Sequence, residues 1–278
     1  MTAIADLSDL INRYTGGASG TPETIWFQKN GRVAGAAATA TIAGRPCSLW
    51  TYDGHPGAGT APTTWANPDN TTAGGLLQTD PGGGREKWLT GISVNCQTAG
   101  TLVLYDRLGH IGNLNGTTTT AQTFTGTATR YTDGIGNVAF VEIYTIIGTT
   151  GTTYTMSYTN TAAASGRTSV ASIIGGTGYR EVTRMLPVPL QAGDKGIISI
   201  ENIDLLATTG TAGAFGVTLA HPLAYCPVDT IGIGGWRDFV TGLPGIPEIQ
   251  TDACLALYYV PTSTNPPEVT GVINMIEA

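Results

Sequence analysis

Residues 153–159, Thr-Tyr-Thr-Met-Ser-Tyr-Thr, alternate without a break between a large apolar side chain and a hydroxyl. Successive side chains of an extended chain point to opposite faces, so Tyr154, Met156 and Tyr158 make one packed face. Thr153, Thr155, Ser157 and Thr159 make a hydroxyl face. This is a strand covered on one side only. Around it lie segments that are apolar on both faces, at 102–105, 138–147, 197–203 and 253–260. They read as central strands or as strands covered by another chain. Gly, Pro, Asn and Asp turns divide them at the short spacing of a sandwich or barrel. Residues 185–200, MLPVPLQAGDKGIISI, put prolines at an edge, then a Gly-Asp turn, then a buried strand, a phrase of the kind found in jelly-roll hairpins. The fold class expected is all-β, a jelly-roll-like β-sandwich whose body spans 45–262.

Both ends read differently. Ile4, Leu7, Leu10, Ile11 and Tyr14 recur at three- and four-residue spacing, predicting a short amphipathic helix over 2–14. Asp6 and Asp9 lie toward its N-terminal half, Arg13 is in its last turn, and Gly16 and Gly17 follow where a C-terminal cap is wanted. Such a helix cannot bury its own apolar stripe and must dock on the body or on a neighbour. Residues 18–44 are small and Gly/Ala-rich, with an apolar knot at Ile25, Trp26 and Phe27 and an Asn30-Gly31 turn. Residues 1–44 are therefore expected as a helix and an extended arm. After the proline-rich PTSTNPP, residues 263–278 are expected as a second arm, pinned like the first by neighbours in an assembly.

Composition points to assembly. Only 12% of the 278 residues are charged while 41% are hydrophobic. A soluble monomer carries about a quarter of its residues as charges, so much of this surface is expected to be covered by partner chains. The net charge is −7 and lysine occurs only at 29, 87 and 195, which argues against nucleic-acid binding. The N-terminal run lacks the basic patch of a signal peptide, and no apolar run is long enough to span a bilayer. The chain is expected to be made in a host cytoplasm and to stay off membranes. Cys47, Cys96, Cys226 and Cys254 are far apart with no CxxC pair and are expected as buried thiols.

A search for chemistry assembles no nucleophile, base and orienting group. His55 follows Asp53 in TYDGHPGAG and is read as an exposed turn residue, His110 as a loop residue, and His221 as closing the buried face of its strand. Residues 80–87, DPGGGREK, are Gly-rich, but no helix N-terminus follows to bind a phosphate. Glu142 lies among Val138, Phe140 and Tyr144, where an arginine from another strand is the ordinary partner. Trp65 and Trp236 sit in turn-rich surroundings, where an indole can stack on a sugar, anchor a subunit or close the end of a sandwich. No enzymatic activity, metal or cofactor is expected.

The phrases MTAIADLSDLINRYTGG, PETIWFQKNGRVAGAAATATIAGRP, SLWTYDGHPGAG and TDPGGGREKWL resemble structural proteins of tailed bacteriophages encoded close to the major capsid protein. That resemblance implies a head auxiliary, cement or decoration protein in the virion, with the major capsid protein and copies of itself as partners, and it brings no catalytic residue. The contact candidates are Leu7, Leu10, Ile11 and Tyr14 on the helix, Ile25, Trp26 and Phe27 in the arm, and Trp65 and Trp236. The rival expectation is a receptor- or glycan-binding β-sandwich of a fibre or tail, with Trp65 or Trp236 as the stacking platform.

Overall fold

The computed structural model describes residues 6–15, 21–37, 39–241 and 245–277. They form one helix, α1 (Leu7–Tyr14), and strands β1 (Pro22–Val33), β2 (Cys47–Ser48), β3 (Tyr52–His55), β4 (Lys87–Cys96), β5 (Gly100–Leu114), β6 (Gln122–Thr127), β7 (Val138–Thr145) and β8 (Thr152–Asn160). Then follow β9 (Arg167–Thr168), β10 (Ser172–Ile174), β11 (Met185–Pro187), β12 (Ile197–Leu205), β13 (Ala214–Val228), β14 (Gly235–Asp238), β15 (Glu248–Ile249), β16 (Leu255–Pro261) and β17 (Glu268–Glu277).

The central strands pair in a nested order: β5 with β13, β6 with β12, β7 with β11 and β8 with β10, all antiparallel. Strands β5 to β8 and then β10 to β13 alternate between two sheets, β11-β7-β13-β5 and β10-β8-β12-β6, with the turn of the ribbon at β8 and β10 inside the second. A long ribbon paired and rolled in this way is a jelly roll. The alternation of 153–159 is β8 itself, with Tyr154, Met156 and Tyr158 buried against Val141, Ile143, Val217 and Leu219 from the facing sheet. The all-β expectation and the jelly roll both hold.

The first of these sheets continues through β16 to β2. Cys47 at the start of β2 then bridges Arg184, the residue before β11, and Ser48 N–H donates to Thr183 O at 2.8 Å while Met185 N–H donates to Pro46 O at 3.0 Å. The sheet is thereby closed into a six-stranded barrel. Alternation along five of the staves agrees: Phe140, Ala220, Tyr105, Ala256 and Met185 pack together inside it with Cys254 and Trp50. Their strand neighbours point outward into two other cores, one under the β10-β8-β12-β6 sheet and one over a third sheet.

That third sheet, ordered β14-β4-β17-β1-β3 with β15 also on β4, is the base of the molecule. It corrects the expectation of two arms. Residues 22–33 are paired strand, and residues 268–277 form β17, which lies between β1 and β4 with Ile25 opposite Ile273. Phe27, Val269, Ile273 and Met275 are fully buried against Leu102, Leu104, Cys226 and Leu257 of the barrel. The apolar knot is an alternating strand whose burial falls on Ile25 and Phe27, and Asn30-Gly31 is an irregularity inside β1, with Gly31 at φ +66, instead of a hairpin turn.

The helix begins at Leu7, where Asp6 caps it by accepting from Asp9 N–H at 2.8 Å, and Arg13 pairs with Asp9 at 3.1 Å. The predicted first turn with Ile4, and the capping Gly16 and Gly17, lie outside the described residues. The four cysteines are buried and free.

Candidate functional site

Two places concentrate chemistry. The first is inside the barrel. β5 and β7 are neighbours of β13, so Arg107, Glu142 and Thr218 all project into the lumen. Arg107 Nη2 donates to Glu142 Oε2 at 2.6 Å, and the same oxygen accepts from Tyr144 Oη at 2.9 Å and Thr218 Oγ1 at 2.7 Å. Nη1 donates to Tyr105 Oη at 3.1 Å, and the guanidinium lies 4.3 Å from the centre of the Trp50 ring. Both charged side chains are 1% exposed or less. Burial pushes the Glu142 carboxyl up, but Arg107 and the hydroxyl donors outweigh it and hold it below the usual range. The partner expected for Glu142 is thus Arg107.

His110 is not a loop residue. β5 runs on to Leu114, and the His110 ring is buried beside Arg107, with Nδ1 2.9 Å from Nη2. Burial and then the neighbouring guanidinium push its pKa down to about 2, so it is a neutral acceptor at ordinary pH. On the barrel's outer surface Asp106 accepts two bonds from Arg130, at 2.7 and 2.8 Å, and one from Cys254 N–H at 3.0 Å. With Arg107, Glu142, Thr218 and His110 buried and Tyr144 at its partly exposed end, the lumen network acts as a polar plug between the staves.

The remaining motifs are engaged within the chain. Asp53 turns to Arg32 at 3.1 Å, while His55 stacks on Trp26 with centroids 5.4 Å apart. His221 is half-buried, stacked on Tyr131 at 3.7 Å and joined to Asn137 at 2.9 Å. In the Gly-rich loop, Lys87 opens β4 and is buried against Glu23 at 2.7 Å, Gln78 at 3.1 Å and the Thr79 carbonyl. No group of three or more His, Cys, Asp or Glu suited to a metal occurs among the described residues.

The second place is the outer face of the base sheet. Because residues directly opposite in antiparallel pairs share a face, Trp26, Val272, Ser93 and Trp236 form one row across four strands. Thr24, Asn274 and Gly91 flank it on one side and Gln28, Thr270 and Asn95 on the other. None of these ten positions is charged; the one charge on these rows is Asp238, opposite Gly91 at the β14 edge. At the β14 side the face drops into a groove lined by Leu7, Tyr14, Ser93, Trp236, Val240 and the charged pair of neighbours Arg237 and Asp238. The helix forms its wall, held by Leu10 and by Tyr14 Oη 2.5 Å from Thr90 Oγ1.

The nine contact candidates divide accordingly. Leu7, Ile11, Tyr14, Trp26 and Trp236 are exposed, Trp236 to 71%. Leu10, Ile25 and Phe27 are buried at 8% or less and belong to the chain's own packing: Ile25 and Phe27 face the barrel, and Leu10 is covered where the helix lies on the base sheet. Trp65 is also packed, stacked on Phe124 at 5.9 Å and seated over Gly109 and Gly126, where a Cβ would stand 2.2 and 2.6 Å from its ring. The sequence reading missed Ser93, Asn95, Thr270 and Val272. Their signal is the alternation in Ile92-Ser93-Val94-Asn95-Cys96 and Val269-Thr270-Gly271-Val272-Ile273, where every second residue is turned out.

No family model and no curated protein sequence matches the chain. Among solved structures, the T=1 particles derived from infectious bursal virus align over 93% of this chain and 78% of that one, with 9% identity and a TM-score of 0.20. The VP2 subviral particle of infectious bursal disease virus aligns over 94% and 81%, with 10% identity and a TM-score of 0.17. Scores at this level do not establish a common fold.

Proposed function

We propose that this chain is a non-enzymatic structural protein of a virion, of the cement or decoration kind, which stabilises a tailed-phage head shell by protein–protein contact. The observation that carries the reading is the outer face of the base sheet: ten uncharged positions bordered by Asp238, with Trp26 and Trp236 exposed in one row and a groove beside it where Leu7, Tyr14 and Val240 stand with Arg237 and Asp238. A solvated sheet face ordinarily carries charges that keep it from sticking, and broad uncharged faces with exposed indoles belong to contact surfaces. The jelly roll is consistent with this, since that architecture serves capsid and lectin domains alike, an analogy of fold only. The low overall charge and the phage-like N-terminal phrases add to it.

The contact would bury the face against capsid subunits. Apolar area removed from water contributes about 25 cal/mol per Å2, a modest gain per copy that a symmetric lattice multiplies. The test is co-sedimentation of the purified chain with expanded heads lacking it. Retention that is lost in Trp26→Ala/Trp236→Ala supports the proposal. Failure to bind heads, together with Trp236-dependent binding on a glycan array, would replace it by the receptor-binding reading.

A further inference from the structure

The seam that closes the barrel carries a charge imbalance. Arg184 bridges Cys47 there, and its side chain is 1% exposed. Its Nε and Nη1 have no hydrogen-bond partner. The carboxylate facing it is Glu181, whose Oε2 stands 3.6 Å from Nη2, too far for a hydrogen bond. Glu181 is committed to backbone instead: Oε1 accepts from Gly178 N–H at 2.9 Å and Oε2 from Arg180 N–H at 3.3 Å. Arg180 lies 3.9 Å from the same carboxylate, and its Nε is also buried without a partner. Arg45 stands alongside, 3.5 Å over the Tyr179 ring, with Nη1 donating to Gly178 O at 2.9 Å.

Two guanidinium groups therefore share the Glu181 carboxylate, with the Arg45 charge beside Arg184, in a chain whose net charge is −7. A buried cation with unmatched N–H groups is costly, and each such group in a native fold calls for a water or an ion to meet it. Water supplies hydrogen bonds but leaves the like charges of Arg45 and Arg184 opposed. A small anion supplies both the acceptors and the neutralisation.

We propose that the seam between β2 and β11 holds a small inorganic anion, of the chloride or phosphate class, against the Arg184 guanidinium. The anion adds to the backbone bonds from Ser48 N–H to Thr183 O and from Met185 N–H to Pro46 O that already join these segments, and so reinforces the closure of the barrel. Burial pulls the Arg184 pKa down; Glu181 and Cys47 oppose that without cancelling it, and Arg45 adds to the fall.

Anion linkage tests this on the intact chain. At fixed ionic strength, with bulky sodium gluconate exchanged for sodium chloride or sodium phosphate, the unfolding equilibrium constant is measured by denaturant titration. For a site that must empty on unfolding, each tenfold rise in free anion above saturation lowers that constant about tenfold. This slope should vanish in Arg184→Met, and Arg180→Gln should need more anion to reach it. A flat response in the wild-type chain for both anions, or an unchanged slope in both variants, overturns the proposal and assigns the N–H groups to water. Where Arg184→Met does not fold, bromide co-crystallised with the wild-type chain decides. An anomalous peak within hydrogen-bonding reach of Nε or Nη1 supports the site, and its absence refutes it.

Discussion

Replacing Glu142 by Leu should be among the most damaging single changes in this chain. The carboxylate is 1% exposed, and its Oε2 accepts three bonds between 2.6 and 2.9 Å, from Arg107, Thr218 and Tyr144. Removing it leaves a fully buried guanidinium without its counter-ion, for which the cost is about 3–5 kcal/mol. The double change Arg107→Leu/Glu142→Leu removes both charges at once. It leaves the Tyr105, Tyr144 and Thr218 hydroxyls and the His110 Nδ1 short of partners, at about 1 kcal/mol for each that finds no other. The double variant should therefore lie well below the sum of the two single losses, with a coupling of about 2–3 kcal/mol. Guanidinium chloride titrations of the four proteins, followed by far-UV circular dichroism and tryptophan fluorescence, close the cycle. A loss below about 1 kcal/mol for Glu142→Leu, or strictly additive losses, would refute the view that the barrel is locked by this pair.

Further expectations rest on the same coordinates. His110 is neutral in the fold with its pKa near 2, whereas in the unfolded chain it takes up a proton near pH 6.5, so its contribution is present above pH 6.5 and is lost as pH falls toward 2. Stability should drop by up to about 1.4 kcal/mol per pH unit in that window, and a pH series on His110→Asn should show a shallower fall. Glu142 adds to the acid loss below about pH 4, since its carboxyl is depressed and its stabilisation disappears on protonation. Phe27→Ala should cost about 3–5 kcal/mol by denaturant titration because Phe27 is wholly buried, whereas Trp236→Ala should change stability by less than about 0.5 kcal/mol. The Cys47 and Cys254 thiols are pushed up to about 12 by burial, so a thiol reagent at pH 7 should leave the native cysteines intact and modify all four in denaturant.

Local pattern determined a good part of this protein. The period-two alternation of 153–159 names the faces of β8 correctly, because side-chain direction in a strand depends only on the strand's own backbone. The helix around Leu10, the four buried thiols and the arginine partner of Glu142 were legible for the same kind of reason: burial of each group dictates what must stand beside it. Pairing over long distance was not legible. Thr24 and Asn274 are 250 residues apart, and nothing local says that the two ends meet as neighbouring strands, so small, Gly-rich flanks read as arms. Trp26 and Phe27 are equally apolar, and only the packing of β1 on the barrel decides that one is buried and the other faces solvent. The closure of a sheet into a barrel, and the buried Arg184 with two unmatched N–H-bearing nitrogens at its seam, arise from segments near residues 47 and 184 brought side by side. That is a property of the rolled sheet, whose contacts no window of sequence contains.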